Sequence, residues 1–231
     1  KENPNNFTPG EAYWIYQRVE DNLVLTAPGG QTGNMSGTSL TIVPGWSLIS
    51  SPYPFPIDAA LNQTLFYGPI TYGVSAESWT DVQTELIPWS GYALYNRTSN
   101  DQTVTLNPIA STSGTLARTV QKEGWLMNLA VTAGVYADQF NQLGRIIGAE
   151  EGLDHYDNPE LLPPGEYLSL AFSLPEYGGK TTFTSDLRSP GTDAALWTTN
   201  IRAKGLSENA TLSWTQLQPF ERNEVIRIID R

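Results

Sequence analysis

"TSLTIVPGWSLISSPYPFPID", Thr38 to Asp58, sets apolar residues against small polar ones and then breaks into evenly spaced prolines. Leu40, Ile42, Trp46, Leu48 and Ile49 supply strand material, and Gly and Pro interrupt it after a few residues, the punctuation of short β-strands. In "SPYPFP" each residue before a proline is pushed out of the helical region, and proline has no amide hydrogen to give a ladder. This piece is expected to run extended over an edge or a surface, with Tyr53 and Phe55 on opposite sides or wrapped over the core.

The same texture continues in both directions. Residues 11–26, "EAYWIYQRVEDNLVLT", read as a hairpin turning at Asp21-Asn22, with Tyr13, Ile15 and Gln17 sharing a face. "DAALNQTLFYG" reads as a short helix or a turn, and "ESWTDVQTELIPWSGYALYN" with "DQTVTLNP" as three further strands. "PGEAYWIY" and "PWSGYALYN" echo each other: Gly10 answers Gly91, Tyr13 answers Tyr92 with a one-residue offset, and Tyr16 answers Tyr95. Near Pro108 the chain turns small and polar, "IASTSGTLART", which marks a domain boundary. Beyond it "EGWLMNLAVTAG" opens a second set of strands, ending in "ATLSWTQL" and "EVIRIID", the last expected to be buried. Between them "YADQFNQLGRIIGAEEGLDHYDNPELLPPG" reads as one long irregular insert. The expectation is an all-β protein of two packed β-sandwich domains, Ig-like or jelly-roll-like with little helix, at residues 1–109 and 110–231.

Composition removes several function classes. A net charge of −11 with thirteen Lys plus Arg, none clustered, disfavours nucleic acid and anionic membranes. No apolar run is long enough to cross a bilayer as a helix. Cysteine is absent, so disulfides, thiolate metal sites and a Cys nucleophile are excluded within these residues. The single histidine, His155, meets no nucleophile elbow and cannot build a His-based zinc site, so it reads as a loop residue and no enzyme is expected.

Three sets of residues remain as candidate sites. Glu151, Asp154 and Asp157 lie in an acidic loop that reads either as a solvated surface or as a calcium site, with no cofactor required. Trp79, Trp89, Tyr53 and Tyr72 stand beside turns or polar residues and could form a sugar-stacking platform, whereas Trp46, Trp125 and Trp214 read as core. Five sequons, at Asn6, Asn34, Asn62, Asn96 and Asn209, are glycosylation candidates in a cell with the machinery, and otherwise suit turns.

"PGEAYWIY", "GWSLISSPYPFPID", "PWSGYALYN", "GWLMNLAV" and "SDLRSP", in this order over nearly the whole chain, resemble modules of secreted and surface multidomain proteins of Bacteroidota-like bacteria that use type IX secretion. The resemblance implies an extracellular or cell-surface β-sandwich module, a structural or adhesive part of a filament, adhesin or larger enzyme. Its partners would be copies of itself or neighbouring domains, with glycans as the alternative ligand. Neither a signal peptide nor a sorting domain is recognisable, so a processed or excerpted piece is expected. In such modules a strand precedes "PGEAYWIY"; its absence leaves an assembly edge at Tyr13, Trp14, Ile15 and Tyr16, to be completed by a neighbouring subunit or to cap its own domain.

Overall fold

A computed structural model describes residues 7–15, 33–59, 61–73, 78–80, 82–111, 123–163, 165–174, 182–191, 194–220 and 225–229. The fold is all-β, with no helix among the described residues. It divides into two compact units, the first comprising residues 1–72 and 80–118, the second residues 73–79 and 119–231. The division falls later than the composition shift because Ile57 bridges Ala110 and Ser111 N donates to Pro56 O, holding this stretch to the first unit.

The first unit contains β1 (Thr38–Ile42), β2 (Gly45–Ser50), β3 (Ile57–Asp58) and β4 (Phe66–Ile70), with β5 (Tyr72–Gly73) and β6 (Ser78–Trp79) at the division. It is completed by β7 (Glu85–Leu86), β8 (Gly91–Asn96) and β9 (Gln102–Leu106). β2, β8 and β4 form an antiparallel sheet in that order, while β1 pairs with β9 and β3 with β7. Alternation explains the inner faces. β1 buries Leu40 and Ile42 while Ser39 and Thr41 face outward, and β9 does the same with Val104 and Leu106 against Thr103 and Thr105. With Ile49, Ile57, Phe66, Leu86, Tyr92 and Leu94 they close one core, each full burial contributing about 1.5–3 kcal/mol. "DAALNQTLFYG" resolves into a turn, Leu65 N and Phe66 N both donating to Asn62 O, followed by β4.

The second unit contains β10 (Gly124–Ala133), β11 (Tyr136–Ile146), β12 (Tyr167–Ser173), β13 (Thr182–Phe183), β14 (Ser185–Arg188), β15 (Thr199–Lys204) and β16 (Thr211–Gln218). One sheet runs β14-β11-β10-β16 and the other β13-β12-β15. Between them lie Trp125, Met127, Leu129 and Val131 of β10, Leu168, Leu170 and Phe172 of β12, and Phe183. The opposite face of β10 buries Leu126 with Ile146, Ala149 and Leu187, roofed by Tyr156. Gly124 cannot be replaced without strain: its φ is +126°, and a Cβ there would collide with the carbonyl oxygen of Arg145.

Two expectations are corrected here. The expected irregular insert begins as β11, eleven residues long, whose polar residues at Asp138, Gln139, Asn141 and Gln142 hid its period. Val225–Ile229, expected as a buried strand, joins no ladder among the described residues, and its Val225 and Ile229 are 77% and 67% exposed.

Candidate functional site

The N-terminal echo finds a companion within its own chain. Ala12 N donates to Leu48 O at 3.2 Å and Ser50 N to Gly10 O at 2.8 Å, so residues 10–12 line the border of β2 opposite β8. Gly10 and Gly91 thus meet the same residue, Ser50, from its two sides. Glu11 N is taken by Thr8 O, and the Tyr13 hydroxyl donates to Glu11 Oε2 at 2.6 Å, tying Tyr13 to its own turn. These intrachain bonds hold residues 10–12, immediately ahead of the assembly edge expected at Tyr13, Trp14, Ile15 and Tyr16. Trp14 and Ile15 remain about half exposed, and Tyr16 lies outside the described residues.

The four platform aromatics do not form one surface. Tyr53 is 3% exposed: its ring stacks on Phe55 at 5.6 Å, and its hydroxyl donates to the carbonyls of Asn34 and Leu106, so it belongs to the core. Tyr72 and Trp79, both half-buried, lie on the paired strands β5 and β6, and Trp89 is fully exposed. Of the three tryptophans read as core, Trp125 is buried against Trp197 and Phe220. Trp46 is half-buried between Tyr67 and Tyr95. Trp214, on the outer strand β16, is 56% exposed and not core.

The acidic loop directs its carboxylates at its own backbone. Asp154 accepts from Glu150 N and Tyr156 N, and Asp157 from Asp154 N and Leu187 N. Glu151 instead takes the Arg145 guanidinium at 3.0 Å and the Ser189 hydroxyl at 2.8 Å. The three acids expected as calcium ligands are thereby turned to separate tasks, and no group of three metal-ligating side chains converges among the described residues. Burial pushes the Asp157 carboxyl up to about 7, the nearby charges of Asp154 and Asp186 add to it, and its two amide donors oppose it. Asp157→Ala would orphan both amides. Urea unfolding of this variant is expected to show a loss of about 2–4 kcal/mol, and a loss below about 1 kcal/mol would contradict the role.

His155 is exposed, its ring 3.9 Å from that of Tyr156. Among the sequons, Asn34, Asn62 and Asn209 are exposed, and Asn6 lies outside the described residues. Asn96 is corrected as an acceptor. It is 1% exposed, and its amide donates to Ile42 O and Asn100 O while its oxygen accepts from Thr98. The same side chain-to-backbone bond, two residues on, recurs at Asn34 and Asn62, the Asx-turn use of such sequences.

One cluster was missed from sequence. Asp138 accepts from Leu170 N at 2.7 Å and from the Asn141 amide at 2.8 Å, and Glu160 accepts from Ser169 at 3.0 Å. Burial raises the Asp138 carboxyl, and burial followed by the Asp138 charge raises Glu160 to about 8, with Arg202 opposing. Asn141 is fully buried with its side-chain oxygen unpartnered. Polar residues at Asp138 and Asn141 within an otherwise strand-like run were the available signal.

Chain and site together define an all-β protein. No protein family, curated protein or solved structure matches the chain.

Proposed function

We propose that the chain is an extracellular structural module that joins copies of itself, or neighbouring domains of a larger surface protein, by strand addition. The observation that supports this reading most is β16. Among the described residues it ends its sheet, it is eight residues long, and "TLSWTQLQ" contains no charge and no proline. Sheet borders are ordinarily blunted by charges, prolines or bulges; β16 has one irregularity of register, at Leu217, and over Thr211–Gln216 it runs in unbroken register, a border able to template pairing with another chain. Trp214 and Leu217 on β16, 56% and 47% exposed, add apolar area for an incoming strand to cover. β15, ending the other sheet, carries Arg202 and Lys204 and is the less receptive border. Val225–Ile229, apolar at four of five positions and outside any ladder, has the composition of a donor. Donation from one copy to the next is heterologous and grows into a filament.

Size-exclusion chromatography with light scattering, followed by negative-stain microscopy, tests the reading. Concentration-dependent multimers are expected, and Trp214→Lys should abolish them while leaving Tm unchanged, because the side chain is exposed. A monomer at every concentration, or equal assembly by the variant, would overturn the reading.

A further inference from the structure

We propose that Trp89 anchors a binding site for a neutral polysaccharide, independent of the assembly border in the second unit. Ile87, Pro88, Trp89 and Ser90 form a turn closed by Ser90 N donating to Ile87 O at 3.3 Å. Proline in its second place and a left-handed residue in its third are the order of a type II turn, which ordinarily takes glycine third. Here the third residue is Trp89, at φ +64°, in a region where a bulky side chain is a strained outlier. Burial does not offset that strain, since Trp89 is fully exposed. Folding alone would favour glycine at this position, so the indole is held out for another purpose.

The turn is rigidly founded. Ile87 N donates to the hydroxyl of Tyr92 at 2.9 Å, and Tyr92 is itself buried in the core. Immediately after the turn, Gly91 O accepts from the Thr71 hydroxyl at 2.9 Å, and the Ala12 methyl lies close by. Two residues past Ala12 stands Trp14, 49% exposed and edge-on to Tyr72 at 6.0 Å. Three aromatic rings therefore come from segments that meet at Gly91.

The chemistry of those segments selects the ligand. Ala12–Ile15, Thr71–Tyr72 and Ile87–Gly91 contain no Lys, Arg, Asp or Glu, and their side-chain polar groups, apart from the indole N–H groups, are hydroxyls. A chain of net charge −11 disfavours an anionic ligand, and the one carboxylate bonded to these segments among the described residues, that of Glu11, is taken by the Tyr13 hydroxyl. Flat aromatic faces beside hydroxyls match a pyranose, whose C–H face is apolar and whose rim is hydroxylic.

Affinity electrophoresis of the full chain in gels containing β-glucan, xylan or mannan tests this. Retardation by at least one is expected, and Trp89→Gly should weaken it about thirtyfold or more. The same variant should leave Tm unchanged or raise it by up to about 3 °C, because glycine relieves the strained φ. Trp214→Lys should bind like the parent chain. The proposal is overturned if none of the three retards the parent, if Trp89→Gly binds equally well, or if its Tm falls, which would make the ring structural. Trp89-dependent sedimentation with neutral phosphatidylcholine vesicles would likewise overturn it in favour of a lipid surface.

Discussion

Phe172→Ala is expected to cost the second unit about 3–5 kcal/mol, read as a shift of the urea midpoint at unchanged slope. Phe172 is 0% exposed and sits on β12, where it is laddered to Phe183 on one side and to Thr199 on the other. Neighbours held on two borders cannot collapse into the space a ring leaves, so most of the cavity would persist. Val131 and Leu170, equally buried in the same core, would lose contacts outright. A loss below about 1 kcal/mol would show that the two sheets do not share this core.

The second large effect is a stability that falls as pH rises, opposite to ordinary acid denaturation. Glu160 titrates at about 8 in the fold against an ordinary 4.5, because it is buried and faces Asp138, with Ser169 and Arg202 as its favourable neighbours. A raised carboxyl means that the folded chain keeps a proton the unfolded chain releases. Its contribution is therefore complete below about pH 4.5 and is lost as pH climbs towards 8. Asp138 and Asp157, also raised by burial, act with the same sign. Thermal melts should show the chain about 2–4 kcal/mol less stable at pH 8 than at pH 5, and Glu160→Gln should flatten most of that slope. A profile that rises from pH 5 to 8 would contradict the arrangement.

Strand alternation was legible wherever one face meets the core and the other meets water. Leu40 and Ile42 on β1, and Val104 and Leu106 on β9, declared themselves without any long-range information. What stayed hidden depended on partners distant in sequence. Tyr53 sits in a proline-spaced run that reads either as surface or as wrapped over the core, and what decides for the core is a carbonyl 53 residues away that accepts its hydroxyl. Trp214 has the apolar context of a core strand, but composition does not say whether a strand lies in the middle of a sheet or ends it. The reverse error occurred on β11, where Asp138 and Asn141 broke the period because they serve the backbone of β12 and each other. At the candidate site, Pro88 announced the turn that exposes Trp89. The left-handed backbone that makes the exposure informative is a property of coordinates, not of residue order.

Between β13 and β14 the chain passes from one sheet of the second unit to the other through a single residue, Thr184. That residue is pinned on both sides, its N–H to Asn158 O at 2.7 Å and its carbonyl to Gln142 N at 2.8 Å. β14 then runs parallel to β11, so tension along either strand loads their shared bonds in shear, all at once rather than one by one. Thr184 acts as a stitch through both layers, and a pull able to slide one layer over the other must first tear it.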